Sequence, residues 1–220
     1  MPELKERTTY EQRINEAMKE VFREAIKVAS EGIDSINRAI KVALRKYVGP
    51  IMEDIHRRVI ILMLILFGED DRASQVLGDA PKQEGPIWDT LRRQARRRSR
   101  RQVDRLGDQM TDTNSAWWEE REDDQDPETF AVDRLFTDDR AENVAITETT
   151  HAVTIAERTV IDELKELGVG VKVKWYTKLD ERVCPVCGPL HGTGPSKWFE
   201  DFKQGPPAHP RCRCFLLYSL

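Results

Sequence analysis

Residues 175–218 read WYTKLDERVCPVCGPLHGTGPSKWFEDFKQGPPAHPRCRCFLLY, and all four cysteines of the 220-residue chain fall inside them. Cys184 and Cys187 make a C-x2-C pair, Cys212 and Cys214 a C-x-C pair 24 residues further on, and His209 stands three residues before Cys212. Two cysteine pairs with a histidine nearby suit zinc, which takes four soft or borderline donors at tetrahedral corners. Pro185 and Gly188 favour the tight turn that lets the first pair supply two corners. The other two must come from a distant segment, so binding closes a loop and staples a small module. Cys212 and Cys214 point to one face of an extended segment and can both ligate; a His-x2-Cys pair from His209 and Cys212 serves equally. The expectation is structural Zn2+ on Cys184, Cys187 and Cys212, with His209 or Cys214 as the fourth ligand. Two disulfides or buried free thiols are the alternatives, and disulfides belong to oxidising compartments. His191 is expected as a hydrogen-bonding prop, and Asp180 and Arg182 as braces around the turn.

Outward from this stretch, residues 169–177 alternate Val171, Val173 and Trp175 against Lys172, Lys174 and Tyr176. That pattern predicts a half-buried strand, with 212–217 as its antiparallel partner and Trp198, Phe199 and Phe202 as a small core. Before it, Ala141, Ala145, Ala152, Ala156, Val160, Leu164 and Leu167 keep helical spacing apart from a polar gap at Thr149, and Gly168 closes that helix. Residues 119–139 hold ten acids against two arginines and read as an acidic linker at 119–129, with Trp117 and Trp118 as an anchor beside it.

Pro86 is placed to open another helix. Residues 86–110 carry eight arginines and three aspartates. Arg92, Arg93, Arg96, Arg97, Arg98, Arg100 and Arg101 cover most faces of a helix, so no clean apolar stripe is expected. They serve either as a solvated face paired with the acidic run or as a contact for DNA phosphates. No aromatic residue is interleaved, so base stacking is not indicated.

In the first third, Phe22, Ile26, Ala29, Ile33, Ile36, Ile40, Ala43 and Tyr47 recur in steps of four and three. This predicts one long helix from about Tyr10, bendable at Gly32 and ended by Gly49-Pro50. Its seam serves an intramolecular hairpin or self-association. A second helix over 51–67 shows a stripe of Ile51, Ile55, Val59, Leu62 and Leu66, with last turns apolar all round; 72–85 reads as a loop with room for one helical turn. The longest apolar run, 59–67, is too short for membrane insertion, which takes about 20 residues. The N-terminal MPELKERTTYEQR lacks the apolar core of a secretory signal. The net charge of -4 gives no global attraction to nucleic acid.

Asp180, Arg182, Val183, Cys184, Cys187, Leu190 and Gly192, followed by Pro206, Pro207, His209, Pro210, Cys212, Arg213 and Cys214, resemble the C-terminal signature of phage minor head proteins, the Mu F-like head morphogenesis family. The likeness reaches back through Arg140-Ala-Glu-Asn and Thr147-Glu148-Thr149, with Ile146 where many relatives have an arginine. It implies a non-enzymatic head component that associates with the portal protein and other head proteins and resides in the virion interior after assembly in the host cytoplasm. The expected fold is mainly α. A long-helix body at 1–130 precedes a Mu F-like domain at 131–220, whose zinc-stapled β module spans 168–220. The alternative is a zinc-containing DNA-binding or nuclease-like protein. Against it, a fully ligated zinc leaves no open position for water.

Overall fold

The computed structural model describes residues 6–178 and 183–220. Helices α1 (Arg7–Ile26), α2 (Ile33–Ala43), α3 (Gly49–Gly68), α4 (Asp71–Leu77), α5 (Gly85–Glu119), α6 (Pro127–Phe130) and α7 (Asp138–Glu166) lead into strand β1 (Lys172–Tyr176), a one-turn helix α8 (Pro195–Trp198) and strand β2 (Phe215–Ser219). The mainly α class with a small β part is as expected. No helix among the described residues is long and apolar enough to cross a membrane.

The long helix expected over Tyr10–Tyr47 is two helices. Gly32 has φ 96° and ψ 176°, a conformation open to glycine and closed to residues with a Cβ, and the chain turns there through a short 3-10 segment at Ala29–Glu31. The seam is accordingly internal: Phe22, Ala29, Ile36, Ile40 and Ala43 are buried where α1 and α2 fold against each other. Gly49-Pro50 does not stop the helix. A single π turn at Leu44–Val48 carries the chain into α3, with Pro50 in its first turn and the Gly49 N–H bonded to the Leu44 carbonyl. The fixed φ of proline suits a first helical turn.

On α3 the buried stripe drifts from the expected one. Ile51, Ile55 and Val59 are inside, but Ile60, Met63, Leu64 and Phe67 continue the face. Leu62 is 40% exposed and Ile65 49%, while Leu66 is half-buried. The loop expected over 72–85, with room for one helical turn, contains α4, which is longer than that at seven residues. Its signal was Asp70, whose carboxylate accepts from the N–H groups of Arg72 and Ala73 as an N-cap.

The arginine-rich helix α5 runs on to Glu119 and does have a buried stripe. Trp88, Leu91, Ala95, Ser99, Gln102, Val103, Leu106 and Met110 face α2, α3 and α7. The stripe is narrow and includes small and polar residues, which is why apolar periodicity missed it. At its end Trp118 meets Phe130 edge-on at 5.7 Å, and the Arg140 guanidinium lies 4.8 Å from the Trp117 ring. The two tryptophans thus anchor the acidic turn.

β1 and β2 pair antiparallel, Trp175 opposite Leu216 and Val173 opposite Tyr218. Trp175 is fully buried, with Trp198 and Phe202 each 5.6 Å away. Phe199, expected in this small core, is 46% exposed. α8 is a single turn, and Trp198 takes its inner side. Contiguous buried residues link Tyr10 on α1 to Tyr218 on β2, passing through Trp175, Cys187 and Cys212.

Candidate metal centre

Cys184 and Cys187 lie on a turn whose backbone wraps around sulfur. The N–H of Cys187 points to the Cys184 Sγ at 3.3 Å, and that of Gly188 to the Cys184 carbonyl at 3.0 Å. The loop that follows is pinned beside β1: the Gly192 N–H donates to the Trp175 carbonyl at 2.7 Å, and the Trp175 N–H to the Thr193 carbonyl at 2.9 Å. His191 is the prop expected of it. Its Nδ1 accepts from the N–H of Thr177 at 3.2 Å, and its ring meets Tyr176 edge-on. Asp180 and Arg182 lie outside the described residues.

The second cysteine pair arrives on a segment tied to α7. Arg211 has φ 60°, a strained value for a residue with a Cβ. Its N–H donates to the Thr147 hydroxyl at 2.9 Å, and its guanidinium reaches Asp139 at 2.6 Å and Glu142 at 3.0 Å. Gly205 makes the close approach earlier in the segment. A Cβ there would stand 3.0 Å from Leu216 and 3.2 Å from Thr154.

These tethers bring all five expected donors together. Cys184, Cys187 and His209 have donor atoms within 4.8 Å of one another, as do Cys187, Cys212 and Cys214. The Cys187 and Cys212 sulfurs are 3.8 Å apart, and the four thiols are free, so the disulfide alternative has no support here. Zinc–sulfur bonds of about 2.3 Å set a tetrahedral edge of about 3.8 Å. His209 is oriented as a ligand: Nδ1 donates to the Pro210 carbonyl at 2.7 Å, while Nε2 faces the sulfurs of Cys184 at 3.0 Å and Cys187 at 3.2 Å. Fixing a histidine through its other nitrogen is the usual support of a metal-bound imidazole.

The crowded thiols are pushed in opposite directions. A hydrogen bond from Cys214 holds the Cys212 thiol down at about 5, outweighing its burial. Burial, with the neighbouring Cys212 charge, pushes Cys187 up to about 12. Cys214 is raised by its bond to Cys212 and by burial. Such a set charges fully only around a cation, and binding one releases protons. The residues fit a structural metal ion.

The sequence did not disclose a polar chain beside this centre, buried at His56, Gln102, Glu148 and His151 and open to solvent at Gln204. His56 Nε2 lies 3.1 Å from Gln102 Oε1, and the Gln102 amide donates to the Glu148 carboxylate at 2.8 Å. Arg105 pairs with the same carboxylate at 2.8 Å and donates to His151 Nδ1 at 2.7 Å. His151 Nε2 then reaches Gln204 at 2.8 Å. The chain crosses α3, α5 and α7 and ends on the segment that carries the second cysteine pair. Burial pushes the His56 pKa down to about 4 and keeps its ring neutral.

The seven arginines considered for DNA differ in their surroundings. Arg92 pairs with Asp89, Arg96 with Glu53 and Arg98 with Asp162. The acid comes from α5 itself, α3 and α7, and none of these partners belongs to the 119–139 run. Among the described residues Arg93, Arg97, Arg100 and Arg101 make no ion pair, and Arg93 donates to the Thr90 hydroxyl.

A family model described as Phage Mu protein F like protein matches residues 90–217, more than half of the chain and all of the metal centre. No curated protein and no solved structure matches it.

Proposed function

The chain belongs to the Phage Mu protein F like family and is a phage head-related protein, and we propose from that premise that it is a non-enzymatic minor head component that docks on the portal protein and other head proteins. The family match carries the reading. In it, residues 1–130 provide assembly contacts, by self-association or with the portal. Residues 131–220 form a rigid unit around one Zn2+, held by Cys184, Cys187, Cys212 and His209, with Cys214 as a hydrogen-bonding thiol behind Cys212. Zinc would supply no reaction step, only a closed loop and folding free energy. The protein would act in the host cytoplasm during assembly and stay in the virion interior.

The exposed Leu62 and Ile65 on α3 support an assembly face, since the other apolar side chains of its last three turns are buried or half-buried. Fully burying an aliphatic side chain of that size contributes about 1.5–3 kcal/mol. The test is head assembly in the presence of wild-type or Leu62→Asp protein, with a pull-down against the portal protein. Loss of both incorporation and portal binding is expected. Normal incorporation of the variant, together with metal-dependent DNA cleavage by the wild type, would favour the nuclease-like alternative.

A further inference from the structure

A cavity of about 370 Å³ opens between α5, α7 and the loop that precedes the second cysteine pair. Arg98, Arg101 and Arg105 from α5, Arg158 from α7 and Lys203 from the loop line it, and Asp162 is the single carboxylate on its wall. The three α5 residues fall in steps of three and four, which puts them on one helix face. The adjoining cavity shares Arg98, Arg101 and Asp162 with it and is lined also by Arg97, Lys165, Glu163 and Glu166. Arg92 and Arg96 are taken up by Asp89 and Glu53, and Arg100 borders a different groove against α3.

Two features make this cleft a receptor for anions rather than a solvated face. The first is unused charge: Arg101 and Lys203 are exposed and make no ion pair among the described residues. The second is a rigid floor. Arg105 is held by Glu148 and His151, and His151 by Gln204, with Glu148 and His151 both buried. Because Nδ1 of His151 accepts from Arg105, its Nε2 carries the proton and donates to the Gln204 oxygen. The ring is therefore neutral, in keeping with the downward push of burial on its pKa. The Arg105 guanidinium is thus positioned before any ligand arrives.

The chain's own acidic run does not fill the cleft. It begins at Glu119, 18 residues beyond Arg101, which is about 27 Å along a helix rising 1.5 Å per residue. Guanidinium forks match phosphate oxygens in pairs, and the cleft presents no Phe, Tyr or Trp for a base to stack on.

We propose that the cleft between α5, α7 and the Lys203 loop binds the phosphodiester backbone of DNA, without regard to sequence, through Arg98, Arg101, Arg105, Arg158 and Lys203. This goes beyond the head-protein reading, which stands or falls by portal binding and not by this cleft.

Fluorescence anisotropy of the full chain with a short labelled DNA duplex, over a salt series, tests it. Each neutralised phosphate contributes about 0.9 to the slope of log affinity against log salt. Arg101→Ala/Lys203→Ala is expected to weaken binding about tenfold and lower that slope by about two. Arg92→Ala/Arg100→Ala should leave both unchanged. Circular dichroism should show both variants folded, since all four side chains are exposed. The proposal is overturned by a wild-type protein that does not bind the duplex at low salt, by equal losses in the two variants, by an unchanged Arg101→Ala/Lys203→Ala variant, or by an acidic peptide of sequence 119–129 binding the cleft in preference to the duplex.

Discussion

The Thr150 hydroxyl, in the middle of α7, lies 2.7 Å from the backbone carbonyl of Cys212 and donates to it. A buried side chain on the longest helix of the C-terminal half therefore fixes a proposed metal ligand from behind. Arg7, on α1, donates to the same hydroxyl, so the N-terminal helix joins that contact. Thr150→Val keeps the shape and removes the hydroxyl. It is expected to destabilise the protein by about 1–3 kcal/mol, the cost of an orphaned buried polar group, while Thr150→Ser keeps most of the stability. Urea denaturation of the three proteins measures it.

Glu157 is fully buried beneath β2 and accepts from the Tyr218 hydroxyl at 3.2 Å. Burial pushes its pKa up to about 8 from an ordinary 4.5. Between those values the folded chain keeps a proton that the unfolded chain has lost, so this group's contribution to stability falls as pH rises from about 4.5 to about 8. Above that window its slope is flat. Glu157→Gln is neutral throughout and should remove this slope. The check is the difference between wild-type and variant unfolding free energies across the window, which should shift in favour of the variant as pH rises.

The cysteine spacing pointed to the cluster that the fold brings together, because a structural metal restricts donor type and number so tightly that a few positions suffice. The contact between His209 and the Pro210 carbonyl, on which we base the proposal of His209 over Cys214, was not legible in the spacing. Helix positions came from apolar periodicity wherever the buried face was wide. That reading failed on α5, whose inward face includes Ser99 and Gln102, and on α4, which is announced by the Asp70 cap alone. Gly49-Pro50 misled because proline in a first helical turn leaves the same letters as proline after a last one. The polar chain from His56 to Gln204 joins residues scattered over four segments, and no local pattern marks it.

Ile36 and Leu62 both lie on apolar seams, but their burial separates their roles. Ile36 is fully buried between α1 and α2, while Leu62 is 40% exposed. Ile36→Asp should unfold the helical body, because a carboxylate there has no partner to offset its desolvation. Leu62→Asp should change stability by no more than about 0.5 kcal/mol and act on head incorporation alone. Thermal melts of both variants beside particle assembly would separate the two effects.

His209 and Cys214 are distinguished by cobalt(II) substitution. With His209 as the fourth ligand, His209→Ala loses tight metal binding and Cys214→Ser keeps it, with an unchanged visible spectrum. The reverse pattern would assign the corner to Cys214.

The claim on which the C-terminal architecture rests is one structural zinc ion per chain. Elemental analysis of full-length protein purified without chelator tests it most directly. The expected result is one equivalent of zinc, whose removal melts the Cys184–Cys214 module before the helices. A well-folded protein free of metal, with the same unfolding profile before and after chelation, would contradict it.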